Sequence, residues 1–379
     1  MTQSSVFYYM MRTPLERFYP LIPAGGVGSR LWPLSRAKAP KFLLDLTGNG
    51  DSLLRQTYDR LADLAADSVM VVTGQSHANA VNQQIQELRG SDIVLEPSPK
   101  DSAAAIGLAC AILHARDKDA IIGSFAADHV IDPVAEFHKV VREAVETAAT
   151  GKIVTIGITP VSPSTAFGYI KARTSLNIER APSALAVDNF VEKPDAQTAT
   201  EYIDSGEYTW NAGMFVAPAS LMLEHLKKNQ PELFTGISHI AQAWDTAERE
   251  EVMNAVWPTL PKIAIDYAVA EPAAAAGDVA MVPGSFSWDD VGDFDAVARL
   301  CQEKSGEDTT VLGNNTNVLI QDSSGIIASE TTRCISVIGI ENVVVIDTED
   351  ALLVTDRRHA QKVKDTVAEL KSRQLDELL

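Results

Sequence analysis

From residue 18 onward, short apolar runs alternate with segments of helical period, and no other feature restricts the fold as much. The runs lie at residues 18–22, 69–73, 93–95, 121–125 and 153–158, each of strand length and too short for an ordinary helix. Strands separated by helical segments predict a parallel sheet covered by helices. One helix is predicted to start at Asp132 and Pro133, a capping side chain followed by a proline suited to the first turn. Phe137, Val140, Val141 and Val145 then share a face. Another opens at Asp101 or Ser102 and carries Ile106, Cys110 and Leu113. After residue 296 the character changes. Short β segments at 318–320, 326–327, 335–338, 343–346 and 352–354 succeed one another with polar turns and no long helix between them, and a final helix aligns Val363, Val367 and Leu370. Three regions are expected: a poorly ordered arm over 1–17, a main α/β domain over 18–296, and a small β domain with a terminal helix over 297–379.

Charge narrows the function. The 379 residues carry 32 Lys and Arg against 51 Asp and Glu, a formal charge of −19. Such a balance disfavours a general electrostatic hold on nucleic acid or on an anionic membrane. An anionic ligand must therefore meet a local basic cluster. The longest apolar stretch, residues 103–113, falls short of the roughly 18 residues of a membrane span, and nothing resembles a signal-peptide core. Cys110, Cys301 and Cys334 lie far apart without CxxC spacing, which suits a reducing compartment and predicts a cytoplasmic location.

The basic cluster is in the first strand–helix junction. Ala24-Gly25-Gly26-Val27-Gly28-Ser29-Arg30-Leu31 follows the first predicted strand, and its glycines let backbone amides approach phosphate oxygens without side-chain obstruction. Residues 17–44 contain no acid, yet Arg30, Arg36, Lys38 and Lys41 fall there. The P-loop pattern GxxxxGK[ST] is absent, and Leu31 stands where the dinucleotide pattern GxGxxG needs its last glycine. Asp128 follows the apolar run ending at Phe125, where open parallel sheets gather their ligands. The segment Trp288-Asp289-Asp290-Val291-Gly292 offers a distant acidic partner. Two aspartates are enough protein ligands for Mg²⁺, which completes its shell with water and phosphate oxygens.

These residues carry a resemblance. GGVGSRLWPLSRAKAPKFLL is similar to the signature of sugar-phosphate nucleotidyltransferases, and its WPLSR portion looks most like that of mannose-1-phosphate guanylyltransferases. The resemblance implies that Ala24, Gly25, Gly26, Gly28, Ser29 and Arg30 surround the nucleotide triphosphate and that Lys41 neutralises charge at the transferred phosphorus. AADHVI and WDDVG look like the family's two metal-bearing segments, which carries Mg²⁺ binding onto Asp128 and Asp290; His129 is read as structural. Glu96-Pro97-Ser98-Pro99-Lys100-Asp101-Ser102 is similar to the family's base loop, with Lys100, Asp101 and Ser102 in place of Arg, Asn and Thr. By that likeness Glu96 and Ser102 face the base.

On the sugar side, Phe190-Val191-Glu192-Lys193-Pro194 ends a strand with an acid and a base expected on opposite faces. It resembles the family's FxEKP segment, with Glu192 for ring hydroxyls and Lys193 for the phosphate. Phe167-Gly168-Tyr169-Ile170 resembles a turn whose glycine, here Gly168, approaches the sugar. Trp210-Asn211-Ala212-Gly213-Met214-Phe215 resembles WNxGMF, with Asn211 bonding a hydroxyl. Asp266, in an IDYA stretch, receives no role beyond that of a turn aspartate. The resemblance implies a dinucleotide-fold-like mixed sheet flanked by helices, followed by a small left-handed β-helix-like domain. It also implies transfer of GMP from GTP to mannose 1-phosphate, releasing GDP-mannose and pyrophosphate. No isomerase barrel is expected after Leu379, and the oligomeric state stays open, a homo-oligomer included. A transferase for another base or hexose, and a non-catalytic sugar-nucleotide-binding subunit, remain as alternatives.

Overall fold

The computed structural model describes residues 12–313 and 316–379. The alternating runs form β1 (Phe18–Ala24), β2 (Met70–Gly74), β3 (Ile93–Glu96) and β4 (Ile121–Ser124), parallel neighbours in the order β3-β2-β1-β4. Seven strands follow: β5 (Val130–Asp132), β6 (Ile153–Ile158), β7 (Gly168–Ser175), β8 (Leu185–Val191), β9 (Tyr208–Pro218), β10 (Val279–Pro283) and β11 (Ser287–Asp289). The sheet continues from β4 as β9-β6-β10-β8-β7. β6 and β10 are parallel, but β9 runs antiparallel to β4, β6 and β7, and β8 antiparallel to β10 and β7. The sheet is therefore mixed. β1 to β4, each separated from the next by a helix, pair parallel. β7 and β8 follow each other with no helix between them, and such neighbours pair antiparallel.

The helix Val134–Ala148 buries Phe137, Val140, Val141 and Val145 as predicted. Asp132 does not cap it, because that residue is the last of β5 and pairs across to Ser287 of β11. The helix Ser102–Arg116 does open on Asp101, whose carboxylate accepts the Ser102 N–H at 2.8 Å. All of residues 103–113 are buried, because helices Ala219–Asn229 and Pro231–Ala243 cover the side that the sheet does not. Burial on every side explains the apolar stretch. Among the described residues no helix is long and apolar enough to cross a membrane.

β12 (Thr309–Gly313), β13 (Val318–Gln321), β14 (Gly325–Ser329), β15 (Ile335–Ile338), β16 (Val343–Asp347) and β17 (Leu352–Asp356) build the second unit. Parallel stacks β12-β14-β16 and β13-β15 take alternate strands of the chain, a β-helix-like coil that β17 closes antiparallel on β16. The boundary expected at residue 296 falls inside helix Phe294–Ser305. That helix shares one core with Leu31, Trp32, Leu46 and Leu53 from the first unit and with Ile326, Val344, Ile346 and Val363 from the second. Of the expected N-terminal arm, residues 1–11 lie outside the described residues. The rest is held in place: Leu15–Arg17 forms a 3₁₀ turn, and the Arg12 guanidinium donates to Asp117 at 2.9 Å.

Candidate active site

β1 delivers the glycine loop to the carboxyl end of the parallel strands. Gly26 and Gly28 have φ of 82° and 79°, the left-handed region that glycine enters without penalty. A Cβ on Gly28 would lie 2.7 Å from the Lys41 Cβ, whereas one on Gly25 or Gly26 would meet nothing within 4 Å. Packing thus explains Gly28, while Gly25 and Gly26 keep an open space clear. Ser29 and Arg30 enter a 3₁₀ turn. The Arg30 Nε is buried, and the guanidinium has no partner among the described residues. A half-buried guanidinium with no carboxylate partner among the described residues is suited to a phosphate oxygen.

Lys41 gathers the carboxylates. Its side chain, barely exposed, sets Nζ 2.7 Å from the Asp128 Oδ2 and donates to the Asp290 backbone carbonyl at 2.5 Å. The β5–β11 ladder places Asp289 opposite Val130, bringing the two acidic segments alongside each other. Asp289 is occupied: it pairs with Arg299 and accepts the Val291 N–H at 2.7 Å. Val291 itself has φ 48°, a rare conformation for a β-branched residue. This strained turn follows the Asp290 carboxylate directly. Burial pushes Asp290 up to about 6, with Lys41 opposing and Asp289 and Asp128 adding to the rise. Burial also works against the Asp128 charge, but Lys41 and then His129 outweigh it and hold that carboxyl below its usual range. Among the described residues no group of three or more His, Cys, Asp or Glu is arranged for a metal. Asp128, whose carboxylate meets Lys41, and Asp290, whose buried carboxyl feels the Asp128 charge, are oxygen donors of the kind a hard divalent ion takes while drawing its other oxygens from water and phosphate.

The surroundings lock this pair. Burial depresses His129 to about 4, leaving a neutral ring whose Nδ1 accepts the Trp288 indole N–H at 3.2 Å. From helix Leu53–Ala62, Thr57 Oγ1 donates to the Ala127 carbonyl at 3.4 Å and Arg60 to the His129 carbonyl at 3.2 Å, so both carbonyls flanking Asp128 are held. The residue patterns above assign neither Thr57 nor Arg60 a part. Their signal is the placement of a threonine and an arginine on the same buried helical face as Leu53, Leu54 and Leu61.

The sugar-side residues also converge. Gly168 lies opposite Asn211 in the β7–β9 register, and a Cβ on it would come within 2.5 Å of Glu192 Oε2. Glu192 and Lys193 do not point to opposite faces. Lys193 has φ 47°, which breaks the strand alternation and turns its Nζ to 2.7 Å from Glu192 Oε1. Asn211 is buried: its Oδ1 accepts from Thr155 Oγ1 at 2.7 Å and Gly213 N at 3.1 Å, and its Nδ2 donates to Asp266 Oδ1 at 3.1 Å. Burial, then the Glu192 charge, push Asp266 up to about 6.

Glu96 ends β3 with no hydrogen bond to its carboxylate among the described residues, and burial pushes it up to about 7. The Ser102 hydroxyl is already engaged, accepting the Ile265 N–H at 2.9 Å. Lys100 is likewise taken, donating to the carbonyls of Pro258 at 2.6 Å and Leu260 at 2.8 Å. An aromatic chain links the two halves: Trp288 packs on Phe167 with centroids 5.1 Å apart, and Phe167 on Trp210 at 5.0 Å.

Residues 19–305 match the nucleotidyl transferase family, and residues 315–370 match the MannoseP isomerase/GMP-like beta-helix domain. The xanthan biosynthesis protein XanB of Xanthomonas campestris is 38% identical over 359 residues, 93% of this chain and 73% of that protein. The mannose-1-phosphate guanylyltransferase RfbM of Salmonella typhimurium is 38% identical over 364 residues, covering 93% and 72%. A crystal structure from Thermus thermophilus, described as a mannose-1-phosphate geranyltransferase, superposes with a TM-score of 0.80 at 29% identity, covering 94% of this chain and 99% of that one.

Proposed function

This chain belongs to the nucleotidyl transferase family, and from that premise we propose that it joins GTP to α-D-mannose 1-phosphate, yielding GDP-mannose and pyrophosphate. The observation that carries the reading is Lys41, which ties Asp128 and the Asp290 carbonyl together beside Gly28 in a loop whose outer face is open. The triphosphate lies along Gly25, Gly26, Gly28 and Ser29, with Arg30, which has no acid partner among the described residues, supplying a cation. Glu96 accepts N–H donors of the guanine edge. Gly168, Glu192 and Lys193 take the sugar phosphate. One of its oxygens attacks the α-phosphorus in line; the new P–O bond forms as the bond to pyrophosphate breaks, and no side chain needs to act as nucleophile. Mg²⁺, when held by Asp128 and Asp290, neutralises phosphate charge. Arg30 and Lys41 orient the triphosphate and offset charge on the leaving group. The cytoplasm is the proposed location.

Pyrophosphate release measured across GTP, ATP and UTP paired with mannose and glucose 1-phosphates tests the reading. GTP with mannose 1-phosphate is expected to dominate; preference for another pair, or no turnover at all, contradicts it. Asp290→Asn should lower turnover and raise the Mg²⁺ concentration needed for half-maximal rate. An unchanged metal requirement would remove Asp290 from that role.

A further inference from the structure

Asn211, which the sequence pattern marks for a sugar hydroxyl, has little left to offer one. The Gly213 N–H can only donate, so the amide oxygen must face it, and Thr155 occupies the same oxygen. This fixes the amide and aims Nδ2 at Asp266. One N–H proton remains, on a residue 5% exposed. Asp266, by contrast, is only partly buried, and its Oδ2 has no partner among the described residues. It opens a π-helical turn over Asp266–Ala270, a geometry common at functional positions. The preceding residue is pinned by the Ile265 N–H bond to Ser102 Oγ.

Charge points the same way. Lys193 is influenced by both Glu192 and Asp266, but its ammonium pairs with Glu192 at 2.7 Å. Asp266 is thus left with one amide donor, and its burial is poorly offset. Hydroxyl donors would repair that deficit without a further cation.

We propose that Asp266 is the carboxylate that accepts a hexose hydroxyl, and that Asn211 is a positioning residue that aims it. The proposal rests on reading Gly168, Glu192 and Lys193 as the sugar-phosphate side of the site. Recognition is then divided between Lys193 at the phosphate and Asp266 at the ring.

The test compares wild type, Asp266→Asn, Asp266→Glu and Lys193→Ala on mannose 1-phosphate and its monodeoxy analogues, with GTP as the second substrate. Asp266→Asn should raise KM for mannose 1-phosphate by roughly ten- to a hundredfold and leave KM for GTP within about twofold. On the one analogue lacking the accepted hydroxyl, that penalty should nearly vanish. Asp266→Glu keeps the charge, should recover part of the loss, and provides a second variant if the asparagine form folds poorly. An equal penalty on every analogue, or a loss confined to kcat or to GTP, overturns the proposal. Lys193→Ala separates the two levels. If it weakens all the sugar phosphates while Asp266→Asn does not, only the Asp266 assignment fails; if neither changes KM, the sugar-side reading itself fails.

Discussion

Gly28 and Gly25 separate two reasons for a glycine in the same loop. Gly28 has φ 79° and no room for a Cβ beside Lys41, whereas Gly25 faces open space without a positive φ. Gly28→Ala should therefore cost about 1–2 kcal/mol of stability and displace Lys41, reducing kcat tenfold or more. Gly25→Ala should leave unfolding unchanged and raise KM for GTP. Urea unfolding combined with steady-state kinetics checks the contrast, and similar behaviour of the two variants would refute it. Glu96 makes a pH-dependent prediction. Its folded pKa of about 7 lies above its ordinary 4.5, so the folded state binds more protons than the unfolded between those values. Stability falls as pH rises through that window and then levels off. Glu96→Gln removes the effect, and its advantage over wild type should be near zero at about pH 4.5 and on the order of 1–2 kcal/mol at about pH 8, after discounting for partial exposure. An equal difference at both pH values would show that burial of this carboxylate is not costly.

Among the elements, the segment after the glycine loop serves a purpose that its basic composition conceals. Arg36 belongs to the acid-free stretch, but its guanidinium pairs with Asp350 at 2.6 Å and donates to the Leu378 carbonyl at 2.7 Å. The Trp32 indole N–H reaches the same carbonyl at 2.7 Å. This stretch is therefore a dock for the C-terminal unit, not a continuous phosphate face. Arg36→Ala should cost about 1–3 kcal/mol and raise KM for GTP more than KM for mannose 1-phosphate, because the loop adjoins the dock. Thermal unfolding and the two KM values measure this; a variant as stable as wild type would mean the dock is dispensable. The local pattern correctly foresaw helix Val134–Ala148 through its apolar face but not its missing cap, since the β5–β11 ladder, formed with a segment far along the chain, claims Asp132. It likewise foresaw both charges of Glu192 and Lys193, but not the left-handed turn that sets them side by side.

At the scale of the whole molecule, the two units share a core that includes Leu31, just after the glycine loop, so neither is expected to stand alone. A chain ending at residue 305 would remove Ile326, Val344, Ile346 and Val363 from the core that Leu31, Trp32, Leu46 and Leu53 share with them. It should lose cooperative unfolding and solubility, as followed by circular dichroism and sedimentation; a stable, active chain ending at Ser305 would disprove the coupling. What the sequence alone determined is local: the strand and helix periods, the glycine loop, the short β runs of the C-terminal unit, and an acid-free basic stretch in a chain of charge −19. These are legible because period, glycine freedom and charge belong to neighbouring residues. Only the tertiary structure decided that Lys41 reaches Asp128 and Asp290, that Arg36 is spent on docking, that β8 and β9 run antiparallel to their neighbours, and that Asp266 stands beside Asn211 with an oxygen unused among the described residues. Each of those contacts joins residues far apart along the chain, and its geometry follows from how the sheet and its cover pack, which no window of sequence contains.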